Sequence, residues 1–259
     1  MPPREPSRDL LRALKALKLG KLIPTLTERL RQARERKMDP EDTLLMVLSD
    51  EVQRRDRQRV VNRARKAKLD PQMVFDAWDA NANVTYDSHL LDELRTLRFI
   101  EQGHHVLLMG PVGVGKTMLA HAIGRLAVER GIGVHCESAD KLFTRLRGAR
   151  LDETHTAELR RLATVDVLVI DDFALRPLTH EETMDMYELV TARHRTASML
   201  VTSNRSPDEW LAQLCDPLHA QALVDRFQNN AFDLVIDGES YRKRQKPRPT
   251  SSVPAAPVG

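Results

Sequence analysis

The chain is poor in several things, and each shortage excludes something. It has two cysteines, Cys136 and Cys215, far apart in 259 residues and at no metal-binding spacing. That rules out a secreted disulfide scaffold and points to a reducing compartment. No apolar run approaches the ~20 residues of a membrane-spanning helix. The opening MPPREPSRDL lacks the apolar core of a secretion signal. A cytoplasmic chain with no membrane partner is expected. Aromatic residues make up 4% of the chain, and none precedes Phe75. The segment before it therefore has no stacking platform of the kind that single-strand nucleic-acid readers use. His104-His105 has no third ligand at motif spacing, and His180-Glu181-Glu182 lacks the second histidine of a zinc protease. There is no nucleophile elbow, no Cys/His dyad and no internal repeat.

What is present is charge, unevenly spread. The net charge is only +3, yet residues 1–68 hold 19 Lys and Arg against 10 Asp and Glu, while the remainder holds 21 against 27. The front of the chain is thus a candidate for an acidic partner. Arg54, Arg55, Arg57, Arg59, Arg63, Arg65, Lys66 and Lys68 crowd one short stretch. Such a run often marks only a solvated helix, but this surplus is also the electrostatic footprint of phosphate binding. Without aromatics, contact with a duplex backbone is expected rather than base reading, with little sequence specificity. RKRQKPR at 242–248 adds to the same attraction.

Leucines 10, 14, 17, 22, 26 and 30 recur at helical spacing, interrupted near Gly20 and Pro24. Asp39-Pro40 opens a further helix running towards Asp50. A basic helix at 51–68 is expected after it, and Asp70-Pro71 repeats the start signal. Residues 1–70 therefore read as a small all-α domain, 71–245 as a second domain, and the Pro/Ser/Ala-rich 246–259 as a disordered tail. In the second domain strands alternate with helices. Strands are expected at 106–109, 132–137, 165–171, 198–202 and 232–236. Helices fall at 88–97, 116–130, 139–148, 155–163 and 180–195, with short ones at Ser206-Pro207 and Asp216-Pro217. That alternation implies an α/β fold with a parallel sheet flanked by helices.

Residues 110–117 read GPVGVGKT, a full match to the phosphate-binding loop G-x-x-x-x-G-K-[ST], after a strand and before a helix. Gly110, Pro111, Val112, Gly113, Val114 and Gly115 form the loop, and Met118 follows it. Backbone N–H groups and the helix N-terminus would hold ATP phosphates. Lys116 would reach the β- and γ-phosphates, and the Thr117 hydroxyl would bind Mg²⁺. LVIDDF at 168–173 ends an oily strand in two carboxylates, which is costly unless something compensates them. Parallel sheets present ligands at the carboxyl ends of their strands. Asp171 can hold the Mg²⁺ through its water shell. Strand neighbours point to opposite sides, so Asp172 is assigned to orienting a water for attack on the γ-phosphate. MLVTSN at 199–204 ends another strand, and Asn204 is a candidate for hydrogen bonding the γ-phosphate or that water.

GPVGVGKT, LVIDDF, VTSN, ALVDRF and GESYRKR, in this order, resemble the IstB-like branch of the AAA+ P-loop ATPases. These are the helper ATPases of insertion-sequence transposition, similar to DnaC-type helicase loaders. The likeness spans roughly 10–245. It implies Asp171 as the Mg²⁺ aspartate, Asp172 as the catalytic acid and Asn204 as sensor 1. It also implies Arg226 as a finger offered to a neighbouring subunit, and Arg242 as sensor 2. It further implies homo-oligomerisation with ATP on double-stranded DNA, DNA deformation and recruitment or activation of a transposase. Met118 and His121, with His194 and Thr196–Met199, depart from the usual family residues without removing a phosphate-contacting group, and His121 is expected to alter packing of the nucleotide pocket. The alternatives are a replicative helicase loader, a small-molecule P-loop kinase that has no need of Arg226, and a nucleotide-gated scaffold with negligible turnover.

Overall fold

A computed structural model describes residues 5–78 and 83–241. Arg242, the basic stretch at 242–248 and the 246–259 tail lie outside the described residues. The chain divides into two compact units between Arg63 and Ala64.

In the first unit, Ser7 caps α1 (Arg8–Ala16) by accepting the Leu10 N–H. A tight turn at Gly20–Leu22 follows, and then α2 (Ile23–Glu35), with Pro24 in its first turn, where a missing N–H costs nothing. Leu22, Leu26 and Val47 form a small core, with Leu14, Leu19 and Leu30 packed on it. Arg29 grips Asp50 through Nε at 2.6 Å and Nη2 at 3.0 Å, tying α2 to α3 (Pro40–Lys66). The expected break near Asp50 is not there: α3 is one helix of 27 residues. No glycine or proline interrupts it, and the jump in charge is bridged along the helix. The buried Glu51 accepts from Arg54 and Arg55, one turn on.

In the second unit, Asp70-Pro71 does not open a helix. The Asp70 carboxylate accepts the Gln72 N–H at 2.8 Å, closing a turn, and a single 3₁₀ turn, Phe75–Ala77, follows. Then come β1 (Val84–Thr85), α4 (Ser88–Thr96), α5 (Arg98–Glu101), β2 (His105–Met109), α6 (Lys116–Glu129), β3 (Val134–Ser138), α7 (Ala139–Leu151), α8 (His155–Thr164) and β4 (Val167–Phe173). The chain continues through α9 (His180–Arg193), β5 (Ser198–Ser203), α10 (Pro207–Trp210), α11 (Pro217–Gln228), β6 (Ala231–Val235) and β7 (Asp237–Gly238). β3, β4, β5, β2 and β6 form, in that order, a parallel five-stranded sheet flanked by helices. β1 and β7 make a separate antiparallel ribbon, too short to leave a sequence pattern.

The core strands are buried almost completely, as a sheet covered on both faces requires. β3 and β4 each begin two residues later than expected. There the Asp166 carboxylate accepts the Gly133 N–H at 2.8 Å, ahead of the ladder. β4 also ends later, because it bulges. Its register against β5 slips between Ile170 and Phe173, and Asp172 takes φ 57°. His104-His105 serve the fold: His104 Nδ1 lies 2.8 Å from Asn230 Oδ1, and buried His105 stacks on Phe227.

Candidate nucleotide site

The loop between β2 and α6 is shaped by what surrounds it. At Gly115 φ is 103°, and a Cβ there would lie 2.5 Å from the Trp78 ring. At Gly113 φ is 91°, and a Cβ would lie 2.1 Å from Ser240 Oγ. Only glycine fits either position. The Tyr241 N–H closes the contact by donating to the Gly113 carbonyl at 2.9 Å. Lys116 opens α6 and is buried. Its ammonium donates to the Gly110 and Pro111 carbonyls at 2.7 Å each, folding the loop around it.

The paired aspartates meet the loop through hydroxyls. Thr117 Oγ1 donates to Asp171 Oδ1 at 2.9 Å, and Thr202 Oγ1 donates to the same oxygen at 2.5 Å. The Thr202 hydroxyl also accepts the Asp172 N–H at 2.9 Å. One buried side chain on β5 thus holds both members of the pair. Simple strand alternation, the basis for assigning Asp172, does not apply at the bulge. The left-handed backbone at Asp172, which aspartate tolerates better than most residues, separates the two carboxyls instead. Asp172 is exposed and lines the cavity, whereas half-buried Asp171 faces Thr117 and Thr202.

That cavity, about 480 Å³, is bounded by the loop from Val112 to Met118, by Asp172 and by Asn204. It therefore brings together most of the residues picked from sequence. It also has a wall that sequence reasoning missed: Met73, Ala77, Trp78, Val84, Leu175 and Tyr241. Trp78 is fixed by an Nε1–H bond to the Tyr86 hydroxyl at 3.1 Å and an edge-on ring contact. The available signal was a tryptophan in a polar stretch of a chain with only two. Arg226, on α11, does not line this cavity. It is half-buried, with its guanidinium 5.3 Å from the centre of the Tyr187 ring. His121 does not touch the cavity either, contrary to expectation. Its Nδ1 accepts the Asp70 N–H at 3.0 Å, its Nε2 lies 3.5 Å from Cys136 Sγ, and burial lowers its pKa. Burial likewise pushes the Cys136 thiol up to about 12, so that sulfur is inert.

The donor set suits a triphosphate with a hard cation. A glycine cradle has no room for Cβ atoms, a lysine lies within it, and hydroxyl and carboxylate oxygens meet at its edge. Among the described residues no cluster of three or more His, Cys, Asp or Glu offers an alternative metal site.

A P-loop on β2, a carboxylate strand one place removed across β5, and this strand order define a P-loop NTPase of the AAA+ fold. The chain belongs to the family described as IstB-like ATP binding protein, which it matches over residues 12–249. A protein of Mycobacterium tuberculosis, named for ATP binding and carried in an insertion sequence, is 35% identical over 94% of this chain and 97% of its own length. The corresponding protein of insertion sequence IS21 in Pseudomonas aeruginosa is 31% identical over 90% of this chain and 88% of its own. Solved structures that share the fold include DnaI, DnaC and DnaA. DnaI has a TM-score of 0.53 and 22% identity, over 63% of this chain and 90% of that one. The DnaC helicase loader has a TM-score of 0.50 and 21% identity, over 57% and 86%. The replication initiator DnaA, bound to AMPPCP and single-stranded DNA, has a TM-score of 0.54 and 21% identity; this chain spans 66% of itself and 51% of that longer chain. No described helix is long and apolar enough to cross a membrane.

Proposed function

We propose that this protein is an ATPase of insertion-sequence transposition that acts in the cytoplasm. It assembles with ATP on duplex DNA, recruits or activates its transposase, and releases on hydrolysis. The observation that carries the reading is the chain Thr117–Asp171–Thr202–Asp172, which joins the phosphate loop to two carboxylates at one edge of a nucleotide-sized cavity.

In this reading the loop N–H groups and Lys116 bind the triphosphate, and Trp78, Val84 and Tyr241 wall the base. Thr117 and Asp171 would hold Mg²⁺, which neutralises charge gathering on the phosphate oxygens. Asp172 accepts a proton from the attacking water and aligns it, and Asn204 hydrogen-bonds the same water or the γ-phosphate. Arg226 serves a neighbouring subunit's nucleotide, in keeping with its position off its own cavity. A guanidinium so placed is worth ~10³–10⁵ in rate and ties hydrolysis to assembly. Arg242 completes the set as sensor 2. The basic half of α3, with Arg57 and Arg63 exposed, supplies phosphate contacts.

A helicase loader would use the same ATPase for another client. The full-length relatives carried in insertion sequences favour the transposase. The test is ATP turnover by the full chain with and without duplex DNA over a salt series. Turnover should rise with DNA, and that stimulation should fall steeply with salt. Absent turnover, or turnover indifferent to DNA, refutes the reading.

A further inference from the structure

Helix α3 carries an apolar stripe that the core of its unit does not use. Val47 faces Leu22 and Leu26, but Leu44, Leu45, Leu48 and Val52 are 62%, 63%, 45% and 57% exposed. At 100° per residue, Glu41, Leu44, Leu45, Leu48, Val52, Arg55 and Arg59 share one sector of about 100°. The stripe is therefore one continuous face: an acid at its start, aliphatic residues in the middle and bases at its end. Four large aliphatics together on a solvated helix are costly to leave in water. A face that begins with the exposed carboxylate of Glu41 is also badly suited to DNA.

We propose that this face is the seat of a second copy of the same chain, docked antiparallel about a two-fold axis at Leu48. The argument is self-complementarity. Turned end for end about Leu48, the face sets Leu44 against Val52, Leu48 against its own copy and Glu41 against Arg55. A closed two-fold interface requires that pairing. A parallel arrangement would set Glu41 on Glu41 and Arg55 on Arg55, which repel. Arg55 is already steadied for the role: Nε bonds Glu51 at 2.7 Å and Nη2 bonds the Lys18 carbonyl, while 44% of the side chain stays exposed. Arg59, 69% exposed one turn further, extends the basic end. The contact spans about 21 Å between Glu41 and Arg55 at 1.5 Å per residue. It uses no nucleotide-site residue, so it forms without ATP or DNA and does not rest on the proposed activity.

The test is sedimentation velocity of the full chain, without nucleotide or DNA, at concentrations up to tens of micromolar. The wild-type chain should reach a dimer. Leu48→Asp, which sets two carboxylates together on the axis, should weaken self-association at least tenfold while leaving helical circular dichroism and ATP binding unchanged. Glu41→Arg and Arg55→Glu should each weaken the dimer, and the double variant should recover most of the loss, a pattern that mere damage to the helix would not give. In a Cys215→Ala background, Leu48→Cys should cross-link to itself under mild oxidation. A monomeric wild-type chain, an unaffected Leu48→Asp dimer, a double reversal no better than its singles, or a Leu48→Cys chain that does not cross-link overturns the proposal. A face that binds only the transposase also overturns it.

Discussion

Thr202→Val keeps the shape of a fully buried side chain and removes one hydroxyl. That hydroxyl donates to Asp171 at 2.5 Å and accepts the Asp172 N–H at 2.9 Å. Leaving the N–H without its acceptor costs about 1–3 kcal/mol, or about 2–4 °C in Tm for each kcal/mol in a domain of this size. The larger effect should be on rate. Asp172 sits in a left-handed bulge held by that bond, and a displacement of order 1 Å in a catalytic group costs ~10²-fold. Thr202 does not itself line the cavity, so ATP affinity should change by less than about threefold, under 1 kcal/mol. Steady-state hydrolysis, equilibrium ATP binding and thermal melts measure the three effects. Thr202→Ser, which retains a hydroxyl, should recover most of the rate. Because Thr202 is proposed to act through Asp172, Thr202→Val combined with Asp172→Asn should be little worse than Asp172→Asn alone. A Thr202→Val chain that melts earlier yet turns over normally would refute the reasoning and reduce Thr202 to a stability residue.

Other expectations follow from the same geometry. Lys116→Ala should lose ATP binding in equilibrium titrations, and retained micromolar affinity would contradict the cradle. Arg226→Ala should bind ATP yet lose hydrolysis. Mixing it with Lys116→Ala chains should partly restore turnover, and no restoration in a verified mixed assembly would exclude action across subunits. Trp78→Ala should weaken ATP binding by about tenfold, roughly 1.4 kcal/mol, in titrations where Trp210→Phe serves as a control outside the cavity. Bonds from Arg54, opposed by burial and aided by Arg55, hold Glu51 at about 2 instead of 4.5. A depressed folded pKa contributes stability above the ordinary value and loses it as pH falls towards the folded one. Melts of the N-terminal helices should therefore weaken between about pH 4.5 and 2, and Glu51→Gln should flatten that limb.

What the sequence made legible was what lies close together in it. The phosphate loop is one uninterrupted motif, and its strand and helix flank it directly. The two aspartates were visible as carboxylates at a strand end, but the reason given for their separate roles, strand alternation, was not the one at work. A bulge cannot be read without the partner strand. Thr202 was passed over for the same reason: in VTSN it is one more polar residue at a strand end. Only the register slip between Ile170 and Phe173 brings it alongside both acids. Trp78 and Tyr241 come from opposite ends of the second unit and meet at the loop where the β1–β7 ribbon joins those ends. The false break in α3 had the opposite cause. A change in charge was read as a change in structure, although backbone continuity depends on propensity and on i,i+4 pairing, and both persist through Glu51.

The strand order gives the site a mechanical consequence. β5 lies between the phosphate-loop strand and the acid strand, so the sheet ladder joins them through β5, while the Thr117 hydroxyl reaches Asp171 directly. Its end is fastened to β4 by more than the sheet ladder. Besides the two Thr202 bonds, Ser203 Oγ donates to the Phe173 carbonyl at 2.9 Å and Arg205 Nε to the Ala174 carbonyl at 3.1 Å. Asn204 sits within that clamp and lines the cavity, so a pull on Asn204 is a pull on Asp171 and Asp172 as well. The clamp reaches further, because Trp210 Nε1 donates to Ser203 Oγ at 3.0 Å and the Trp210 ring packs edge-on against Phe227, the neighbour of Arg226. Asn204 and the helix segment that carries Arg226 are therefore joined by one run of packed, hydrogen-bonded groups. In the proposed reading, where Arg226 serves a neighbouring subunit, the β5 tip is the two-sided element that would carry nucleotide state to it.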